Sequence, residues 1–392
     1  MKILAIAPYI SSVYGGTSKM VLELVGTLAK FDLEVDLITT NANYPESNCD
    51  RWRKVDNYRL RHFNCWYKDD LIISPSMIYW LLHNINHYDL VHTHTLFSPL
   101  ISLAHGICQL FKVPYIVTPH GMLEPWALSY KAKKKHFYYQ LFEKSALQNA
   151  HAIHTLVASE ADNIKSLGIT SPTAIIPNGI YAQEFDRQFD AELFYQKYPQ
   201  TKDKKLILFL GRIDPKKGLD LLASAFGKVY RQFPDTHLIV AGPDNINYLP
   251  QVREFFTENK CLEAVTFTGM ITGALKKSAL AAADLYVAPS YSEGFSMSVL
   301  EGMASGLPCV ITTGCNFPEA DRSQAAKVVV IESEAIATAL IDCLANPQMA
   351  KNMGDRAKRF ILQNYTWDIV TQKLIEIYQD ISTRPTNSVQ YS

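Results

Sequence analysis

The sequence lacks the features that would place it in several broad classes of protein. Its seven cysteines are scattered, and none forms the Cys-x-x-Cys pair of zinc and redox motifs. Basic and acidic residues balance at 38 each, so no overall charge attracts nucleic acid or an anionic membrane. No apolar run is long enough for a transmembrane helix, and Pro8 interrupts the apolar start before it could serve as a signal peptide. We therefore expect a cytoplasmic protein with reduced thiols, with the inner face of the membrane as an open alternative.

Short apolar runs alternate with helical periods along all 392 residues. Hydrophobic residues make up 48% of the chain and charged residues 19%, which indicates a globular protein with more than one core. Strands that are apolar throughout and separated by helices predict parallel sheets covered on both faces. The predicted strands are Lys2–Tyr9, Glu34–Thr40, Asp89–Thr95, Tyr115–Gly121, Ala152–Val157, Thr173–Gly179, Lys205–Arg212, His237–Pro243, Val265–Met270, Leu285–Ser290 and Pro308–Thr313.

The alternation lapses at residues 181–205, which are polar and mixed in character. This lapse predicts a connection between two domains. The predicted fold class is therefore α/β, with two facing doubly wound Rossmann-like domains at residues 1–185 and 200–365. A last helix within residues 366–392 carries an apolar stripe that needs a surface to cover. The stripe consists of Trp367, Val370, Leu374, Ile377 and Ile381.

Two cations follow a predicted strand in "GRIDPKKG". Ligands of open parallel sheets bind at the carboxyl ends of the strands, where Arg212 ends the strand and Lys217 opens the next helix. An Arg fork and a Lys point charge at this place suit a diphosphate. The alternative is a pair of solvated surface cations. Lys216, between them, is expected to point to solvent.

Two glutamates are separated by seven residues in "SEGFSMSVLEGMASGLP". Glu293 precedes a predicted helix and Glu301 lies inside it, about 10 Å away along the axis. That separation is at or beyond the range of carboxylates that share one hydrolytic reaction. The two suit hydroxyls at opposite ends of one elongated ligand, with its phosphates at the helix start, which is the layout of a nucleoside diphosphate sugar. The alternative for Glu301 is a surface position, although its neighbours are apolar.

Three further features lie at predicted strand ends. His120 could be an acid, a base, a donor to a sugar hydroxyl or a structural histidine. His92 and His94 have a spacing that allows metal binding, but no acidic or Cys partner is near them in sequence. Gly15 and Gly16 open the first helix, where free N–H groups attract phosphate, or they form an ordinary tight turn. Their pattern fits neither a dinucleotide fingerprint nor a P-loop.

A basic helix flanked by aromatic residues is predicted in "WALSYKAKKKHFYY". Four of the five residues in Lys131–Lys135 are lysines, and Trp126 and Phe137 lie on either side. Such a helix can rest on an anionic membrane, and a solvated helix face is the alternative. No contact with nucleic acid is expected.

Four motifs, in this order, resemble those of one known family. "TPHGM", "IPNGI", "GRIDPKKG" and the two glutamates of "SEGFSMSVLEGMASGLPCV" are similar to motifs of the retaining glycosyltransferases of family 4, which have the GT-B fold. The resemblance covers essentially the whole chain. "PHGMLEPWAL" resembles the members that build bacterial exopolysaccharides and related cell-surface glycans. Gly302 departs from the usual Ala, and this glycine either loosens the site or makes room for a neighbour.

The resemblance implies a role for each candidate residue. The donor diphosphate would be bound by Gly15, Gly16, Arg212 and Lys217. The catalytic residues would be His120 and Glu293, which would hold the transferred sugar together with Gly294, Phe295, Ser296 and Met297. The nucleoside would be bound by Met270, Leu300 and Glu301. The family further implies that the terminal helix crosses back to an acceptor-side first domain and that no metal or other cofactor is needed.

The function that the resemblance implies is transfer of a hexose from a nucleoside diphosphate sugar to a saccharide acceptor, with retention of anomeric configuration. UDP-glucose is the first expectation for the donor, and a lipid-linked glycan is one candidate acceptor. Two alternatives remain open from the sequence. One is a GT-B sugar-nucleotide epimerase that uses no acceptor, and the other is a non-catalytic protein that binds nucleotide sugars.

Overall fold

The structure is a computed structural model that describes residues 1–14, 16–44, 49–68, 71–129, 132–185 and 189–383. The chain divides into two compact units. The first unit comprises Met1–Gly179 and Trp367–Ser392, and the second comprises Ile180–Thr366. Each unit has a sheet and hydrophobic core of its own. The prediction of two α/β domains is therefore confirmed.

Each of the eleven predicted apolar runs corresponds to a strand, although most of these strands end earlier than predicted, and five further strands were not predicted. Those of the first unit are β1 (Lys2–Ile6), β2 (Glu34–Thr40), β3 (Trp52–Val55), β4 (Tyr58–Phe63), β5 (Trp66–Lys68), β6 (Leu71–Ile73), β7 (Leu90–His94), β8 (Tyr115–Thr118), β9 (Ala152–Thr155) and β10 (Thr173–Ile175). Those of the second unit are β11 (Lys205–Leu210), β12 (Thr236–Ala241), β13 (Val265–Gly269), β14 (Leu285–Ala288), β15 (Cys309–Thr312) and β16 (Lys327–Val329).

The α-helices cover the sheets. Those of the first unit are α1 (Gly16–Leu28), α2 (Pro75–Asn84), α3 (Pro99–Phe111), α4 (Pro125–Ser129), α5 (Ala132–Tyr138), α6 (Lys144–Gln148) and α7 (Ala158–Ser166), with a π-helix at Tyr139–Glu143. Those of the second unit are α8 (Glu192–Lys197), α9 (Leu219–Gln232), α10 (Leu249–Glu258), α11 (Gly273–Ala282), α12 (Met297–Ala304), α13 (Pro318–Arg322), α14 (Ser333–Ala345) and α15 (Pro347–Asn364). The terminal helix, α16 (Trp367–Thr383), belongs to the first unit.

The sheet of the first unit has the order β10-β9-β8-β7-β1-β2-β4-β3 in the described part of the chain. Its pairs are parallel except for β3 with β4, which run antiparallel at one edge. The sequence-based prediction was therefore wrong in treating this sheet as wholly parallel. The sequence of β4 alternates polar and apolar residues, and its Arg59 forms a two-pronged ion pair with buried Asp36 on β2. Such a strand does not have the continuous apolar run by which the others were recognised.

The sheet of the second unit has the order β13-β12-β11-β14-β15-β16, and each of its pairs is parallel. Strands β12, β14 and β15 are buried along their whole length because helices cover both faces. Strands β12 and β13 are added on one side of β11, and the later strands β14, β15 and β16 are added on its other side. This reversal of strand order opens a crevice at the carboxyl ends of β11 and β14.

The terminal helix covers the first unit with the predicted apolar stripe. All five stripe residues from Trp367 to Ile381 are buried, as the sequence predicted. The indole N–H of Trp367 also donates to Glu23 of α1 at 3.0 Å. The polar segment at residues 181–205 was predicted to be a connection between the domains. It instead contains a helix, α8. Phe194 of α8 is fully buried in the core of the second unit, and its N–H donates to Ser278 at 2.9 Å.

The seven cysteines are free thiols. Cys108, Cys261, Cys309, Cys315 and Cys343 are buried thiols, while Cys49 and Cys65 are half-buried. Within the described ranges, no helix combines the length and the apolar character that crossing a membrane would require.

Candidate functional site

The carboxyl ends of β11 and β14 carry the candidate diphosphate and sugar residues of the second unit. Arg212, Lys216 and Lys217 lie in the loop that follows β11, and Glu293 lies in the loop that follows β14. The N–H of Tyr291 donates to the carbonyl of Lys216 at 2.8 Å and so ties the two loops together. The strand order therefore brings these residues together at the reversal point of the sheet, where ligands of open α/β sheets bind.

A buried ion pair joins the two loops. The ammonium of Lys217 donates to Glu293 Oε1 at 2.5 Å, with side chains that are only 12% and 8% exposed. The Ser290 hydroxyl donates to the same oxygen at 2.7 Å. The backbone of Glu293 is held as well, because its N–H donates to Gly314 and its carbonyl accepts from the Asn316 amide. The carboxylate is thus fixed in position and charge before any ligand arrives.

The electrostatics of Glu293 depend on its neighbouring cations. Burial by itself raises the pKa of this carboxyl, but the ammonium groups of Lys217 and Lys216 and the hydrogen bonds from Lys217 and Ser290 outweigh it. The pKa of Glu293 therefore lies below its ordinary value of 4.5. Glu293 is therefore an anion at neutral pH and carries no proton that it could donate to a ligand.

The expectation that Lys216 points to solvent was wrong. Its side chain is half-buried beside Glu293. Burial lowers the pKa of its ammonium most, and the nearby cations Lys217 and Arg212 lower it further against the opposing effect of Glu293. Lys216 is thus part of the same cluster of charges.

The loop after β11 carries an excess of positive charge. Arg212 is exposed, while Lys216 and Lys217 are half-buried. The Asp214 carboxylate caps the short turn by accepting the Lys216 N–H at 3.1 Å. Gly218, which ends this turn, has φ +69°, and a Cβ there would lie 2.0 Å from the carbonyl oxygen of Pro289. A glycine is therefore required for the close approach of the two loops, and the arrangement can receive an anion with more than one negative charge.

Helix α12 begins at Met297, shortly after Glu293. Its N-cap residue, Ser296, has β-region backbone angles and makes no side-chain capping hydrogen bond, so the first N–H groups are available to a ligand. Residues Gly294 to Met297 are partly exposed. The backbone segment that was predicted to contact the sugar and the phosphate is therefore accessible at this end of the second unit.

Glu301 has a different cation partner. The ammonium of Lys276 on α11 donates to Glu301 Oε1 at 2.7 Å. The two glutamates are thus each paired with their own lysine, which agrees with separate roles. Of the other predicted nucleoside residues, Met270 is 64% exposed after β13. Leu300 is fully buried in the core, so its side chain supports α12 and offers no surface to a ligand.

Gly302 makes room for a buried tyrosine. A Cβ at this position would lie 2.8 Å from Cγ of Tyr286, whose ring is fully buried on β14. Of the two consequences that the sequence allowed for this glycine, the structure favours the accommodation of a neighbour. The helix carrying Glu301 therefore packs directly against the ring.

The remaining predicted residues lie in the first unit. His120 follows β8, is half-buried and has φ +55°, and its Nε2 lies 3.2 Å from Nδ1 of His94. The pKa of His120 lies well below 6.5, chiefly because of burial and also because of His94 and His154, so the ring is neutral at pH 7. Gly16 begins α1, and Gly15 lies outside the described residues.

His92 has no ring nitrogen left for a metal ion. Both ring nitrogens of His92 are engaged, by Tyr378 at 2.5 Å and by Thr118 at 2.6 Å. Among the residues that the structure describes, no group of three or more His, Cys, Asp or Glu side chains is arranged to hold a metal ion.

Two family models match adjoining parts of the chain. Residues 14–184 match Glycosyltransferase Family 4, and residues 190–360 match Glycosyl transferases group 1. The two matches fall on the two α/β units in turn. The chain carries a Glycosyltransferase Family 4 domain followed by a group 1 glycosyltransferase domain.

Known proteins agree with this assignment. The glycosyltransferase is 24% identical over 389 residues to an uncharacterized glycosyltransferase of Methanocaldococcus jannaschii, covering 95% of this chain and 96% of that one. It is 30% identical over 211 residues to the phosphatidyl-myo-inositol mannosyltransferase of Mycolicibacterium smegmatis. That alignment spans about half of each protein, 53% of this chain and 52% of the mannosyltransferase. Such relatives identify the enzyme as a hexosyltransferase.

Solved structures confirm the fold of the glycosyltransferase. The structure of Anabaena HepE in complex with UDP and glucose superposes with a TM-score of 0.76 at 16% identity, covering 97% of this chain and all of that one. At that identity the likeness concerns the fold alone. Both units have the Rossmann-like architecture of GT-B glycosyltransferases, as the sequence predicted.

Sequence reasoning missed several residues that hold this site of the glycosyltransferase together. Lys276, Ser290 and Asn316 each hydrogen-bond to one of the two glutamates. Lys276 lies near the start of a helix that follows a strand, a position that could have marked it. Ser290 and Asn316 lie in loops, and no local pattern distinguishes them from other polar loop residues.

Proposed function

We propose that this glycosyltransferase moves a hexose from a nucleoside diphosphate hexose to a hydroxyl of a saccharide acceptor, with retention of anomeric configuration. UDP-glucose is the first donor to test, because the fold is similar to that of HepE, whose complex contains UDP and glucose. The motifs of the chain support an acceptor that belongs to an exopolysaccharide or a related glycan, either free or lipid-linked.

One observation carries the proposal. The buried pair of Lys217 and Glu293 lies beside Lys216 and Arg212 at the carboxyl ends of β11 and β14. A diphosphate would supply the negative charge that this cluster lacks. The N–H groups at the start of α12 add further donors for a phosphate oxygen.

In the proposed mechanism, cations and N–H groups are already in position before the diphosphate departs. Arg212, Lys217 and the start of α12 stabilise the negative charge that develops on the departing diphosphate. Glu293 and His120 orient the transferred sugar, and Glu301 binds the ribose. The leaving phosphate itself receives the acceptor proton on the same face of the sugar. Because cations and N–H groups neutralise the diphosphate, we propose that the reaction needs no metal ion.

The first experiment identifies the nucleotide. Thermal unfolding is measured with UDP, GDP and ADP at equal concentrations. Saturation at about 100 times Kd stabilises the folded state by about 2.7 kcal/mol for the nucleotide that binds. If none of the three raises the transition temperature at millimolar concentration, the nucleotide-binding proposal is wrong.

The second experiment measures turnover with the donor sugar of that nucleotide, in EDTA. R212A is expected to lower kcat by about 100- to 1,000-fold, because it removes a group that stabilises transition-state charge. R231A is the matched control, since Arg231 is an exposed arginine in the last turn of α9. Equal effects of the two substitutions would exclude the proposed role of Arg212. The anomeric proton of the first-formed product, followed by NMR, reports retention or inversion.

Acceptor dependence separates the transferase from the two alternatives. A transferase releases nucleoside diphosphate only when acceptor is present, apart from slow hydrolysis. An epimerase converts the donor sugar without acceptor, and a non-catalytic protein binds the donor without chemistry. The intact ion pairs of Glu293 and Glu301 support an enzyme that turns over.

We also propose that the glycosyltransferase contacts the cytoplasmic face of a membrane through the region of α5. Lys133 and Lys134 are exposed, and Phe137 is 67% exposed on the same helix. Lys135 is half-buried and donates to the carbonyl of Ala127 at 2.5 Å, so it is not available to lipid. Lys131 lies outside the described residues. Exposed cations beside an exposed aromatic ring suit an anionic lipid surface.

Cosedimentation with vesicles tests this contact. Wild type is expected to bind vesicles that contain phosphatidylserine more tightly than neutral vesicles, because the anionic surface attracts the exposed lysines. K133E/K134E is expected to abolish the difference. K202E/K204E is the matched control, because Lys202 and Lys204 are exposed lysines of the second unit. Equal loss in both variants would indicate a general charge effect and contradict a specific surface.

A further inference from the structure

A chain of hydrogen bonds fixes the protonation of two histidines in the first unit. His154 Nε2 lies 2.8 Å from the carbonyl oxygen of Ile176, so this nitrogen carries the proton. The Nδ1 of His154 must then accept from the Thr118 hydroxyl at 3.0 Å. That hydroxyl in turn accepts from His92 Nε2, whose Nδ1 accepts from Tyr378. Both histidines are therefore neutral Nε2–H forms with every ring nitrogen engaged.

His94 and His120 form a pair of a different kind. Their rings lie 5.4 Å apart at an interplanar angle of 21°, joined by the single contact between His94 Nδ1 and His120 Nε2. The other ring nitrogens, Nε2 of His94 and Nδ1 of His120, are buried and have no partner in the described part of the protein. His94 is completely buried, whereas His120 is half-buried. His120 is therefore the ring of the pair that lies nearer the protein surface.

The backbone of His120 is held independently of its ring. His120 and Gly121 both have positive φ, of 55° and 75°, and the Gly121 N–H donates to buried Glu160 Oε1 at 2.6 Å. Glu160 also accepts from the N–H of Leu156, which fixes the carboxylate in turn. A non-glycine residue is thus kept in a sparsely populated conformation by its surroundings. The ring of His120 then depends on His94 for its orientation.

The shared hydrogen bond fixes the two tautomers relative to each other. If His120 donates from Nε2, both rings carry their proton on Nε2, and if His94 donates from Nδ1, both rings carry it on Nδ1. Each arrangement leaves one buried N–H and one buried acceptor unpaired. The two histidines therefore have the same tautomer, whichever of them donates.

We propose that His94 is a positioning residue for His120, and that the hydrogen bond at His94 Nδ1 holds the His120 ring in the orientation and tautomer in which it meets the transferred sugar. The proposal rests on the proposed function, in which His120 orients the transferred sugar. It adds a residue that touches no ligand but holds in place the ring that does.

Two amide substitutions at His94 separate positioning from packing. The amide of H94N lies near the Nδ1 position and can still hydrogen-bond to His120, whereas the longer amide of H94Q lies near the Nε2 position and cannot. We expect H94Q to lower kcat about 100-fold, because a misplaced group can have that effect, and H94N to retain most of the activity. The thermal shift with nucleoside diphosphate, which has no sugar, should be unchanged in both. Equal kcat in the two variants would overturn the proposal.

A matched control tests whether any buried histidine would behave in the same way. His105 is buried on α3, and its Nε2 lies 2.8 Å from the Thr93 hydroxyl. H105Q keeps an amide at that position and should leave kcat unchanged. A loss of kcat in H105Q equal to that in H94Q would show that H94Q acts through general loosening of the unit and would overturn the proposal.

A readout that needs no substrate distinguishes failure of this inference from failure of the proposed function. Nitrogen-15 NMR of histidine-labelled enzyme should show the same tautomer for His94 and His120, assigned with H94N and H120Q, and Nε2–H tautomers for His92 and His154. Different tautomers of His94 and His120 would overturn the inference even in an active enzyme. If no donor is turned over, the proposed function fails while the tautomers still decide the pairing. If H120Q keeps full activity, there is no role for His94 to support.

Discussion

Replacing Lys217 by Met tests the ion pair on which the candidate site depends. The substitution keeps a long apolar side chain but removes the ammonium 2.5 Å from Glu293. Since both side chains are largely buried, Glu293 would be left as a buried and under-compensated charge. Removing one partner of a buried pair destabilises a protein by about 3–5 kcal/mol. For a unit of this size, that loss corresponds to a fall of roughly 6–20 °C in the transition temperature.

The assay compares thermal unfolding of the full chain in four proteins of a double-mutant cycle. K217M and E293Q are each expected to destabilise, while K217M/E293Q recovers much of the loss because no buried charge is left alone. The matched control is K228M, which removes the exposed pair of Lys228 with Glu334. Exposed pairs contribute at most about 1 kcal/mol, so K228M should unfold near the wild-type temperature.

The pH dependence gives a second measure of the same pair. Because the pKa of Glu293 is below 4.5 in the folded protein, its contribution to stability is fully present above that value. The contribution is lost as the pH falls through the folded pKa, because protonated Glu293 no longer needs the ammonium of Lys217. The difference between K217M and wild type should therefore narrow on acidification below about pH 4.5. A difference that stays constant from pH 7 to 3, or a K217M protein as stable as wild type at pH 7, would refute this account of the site.

Two further substitutions test the packing around the sites. G302A would place a methyl group against Tyr286, so overpacking of about 1–3 kcal/mol should exceed the gain of about 1 kcal/mol in helix propensity. The transition temperature of G302A should fall. In the double variant G302A/Y286L, the smaller leucine side chain should remove this penalty. Losses that simply add in the double variant would contradict the steric explanation. Y378F leaves Nδ1 of His92 buried without a donor and should lower the free energy of unfolding by about 1–3 kcal/mol in urea titrations. Y139F is its control, since the buried Tyr139 hydroxyl has no partner among the described residues, and an equal loss in both variants would mean that the hydrogen bond to His92 contributes nothing.

Much of the fold could be predicted because the strands are local features. The run Glu34–Thr40 was predicted as a strand and forms β2 with the same bounds, since six of its seven residues are buried. Strands β3 and β4 were missed for the opposite reason. Arg59 and Arg61 interrupt the apolar pattern of β4, and the ion pair that allows Arg59 there comes from Asp36 on another strand. Local hydrophobic periodicity contains no information about such a partner.

The same difference between local patterns and distant contacts applies to the candidate site. Arg212, Glu293 and His120 could be named as candidates because each lies in the loop after an apolar strand. The solvated position predicted for Lys216 was wrong, because burial of that side chain depends on Glu293, which comes from a distant loop. Leu300 was assigned to the nucleoside from the motif alone, whereas packing of α12 against the sheet places its side chain in the core.

The sequence by itself determined which residues stand at the carboxyl ends of the strands, because apolar runs and helical periods are set by neighbouring residues. Only the tertiary structure decided which of them meet. Lys217 and Glu293 are 76 residues apart, Lys276 and Glu301 are 25 apart, and His94 and His120 are 26 apart. Each meeting depends on strand order, as when β14 is placed beside β11, and strand order results from packing of the whole unit.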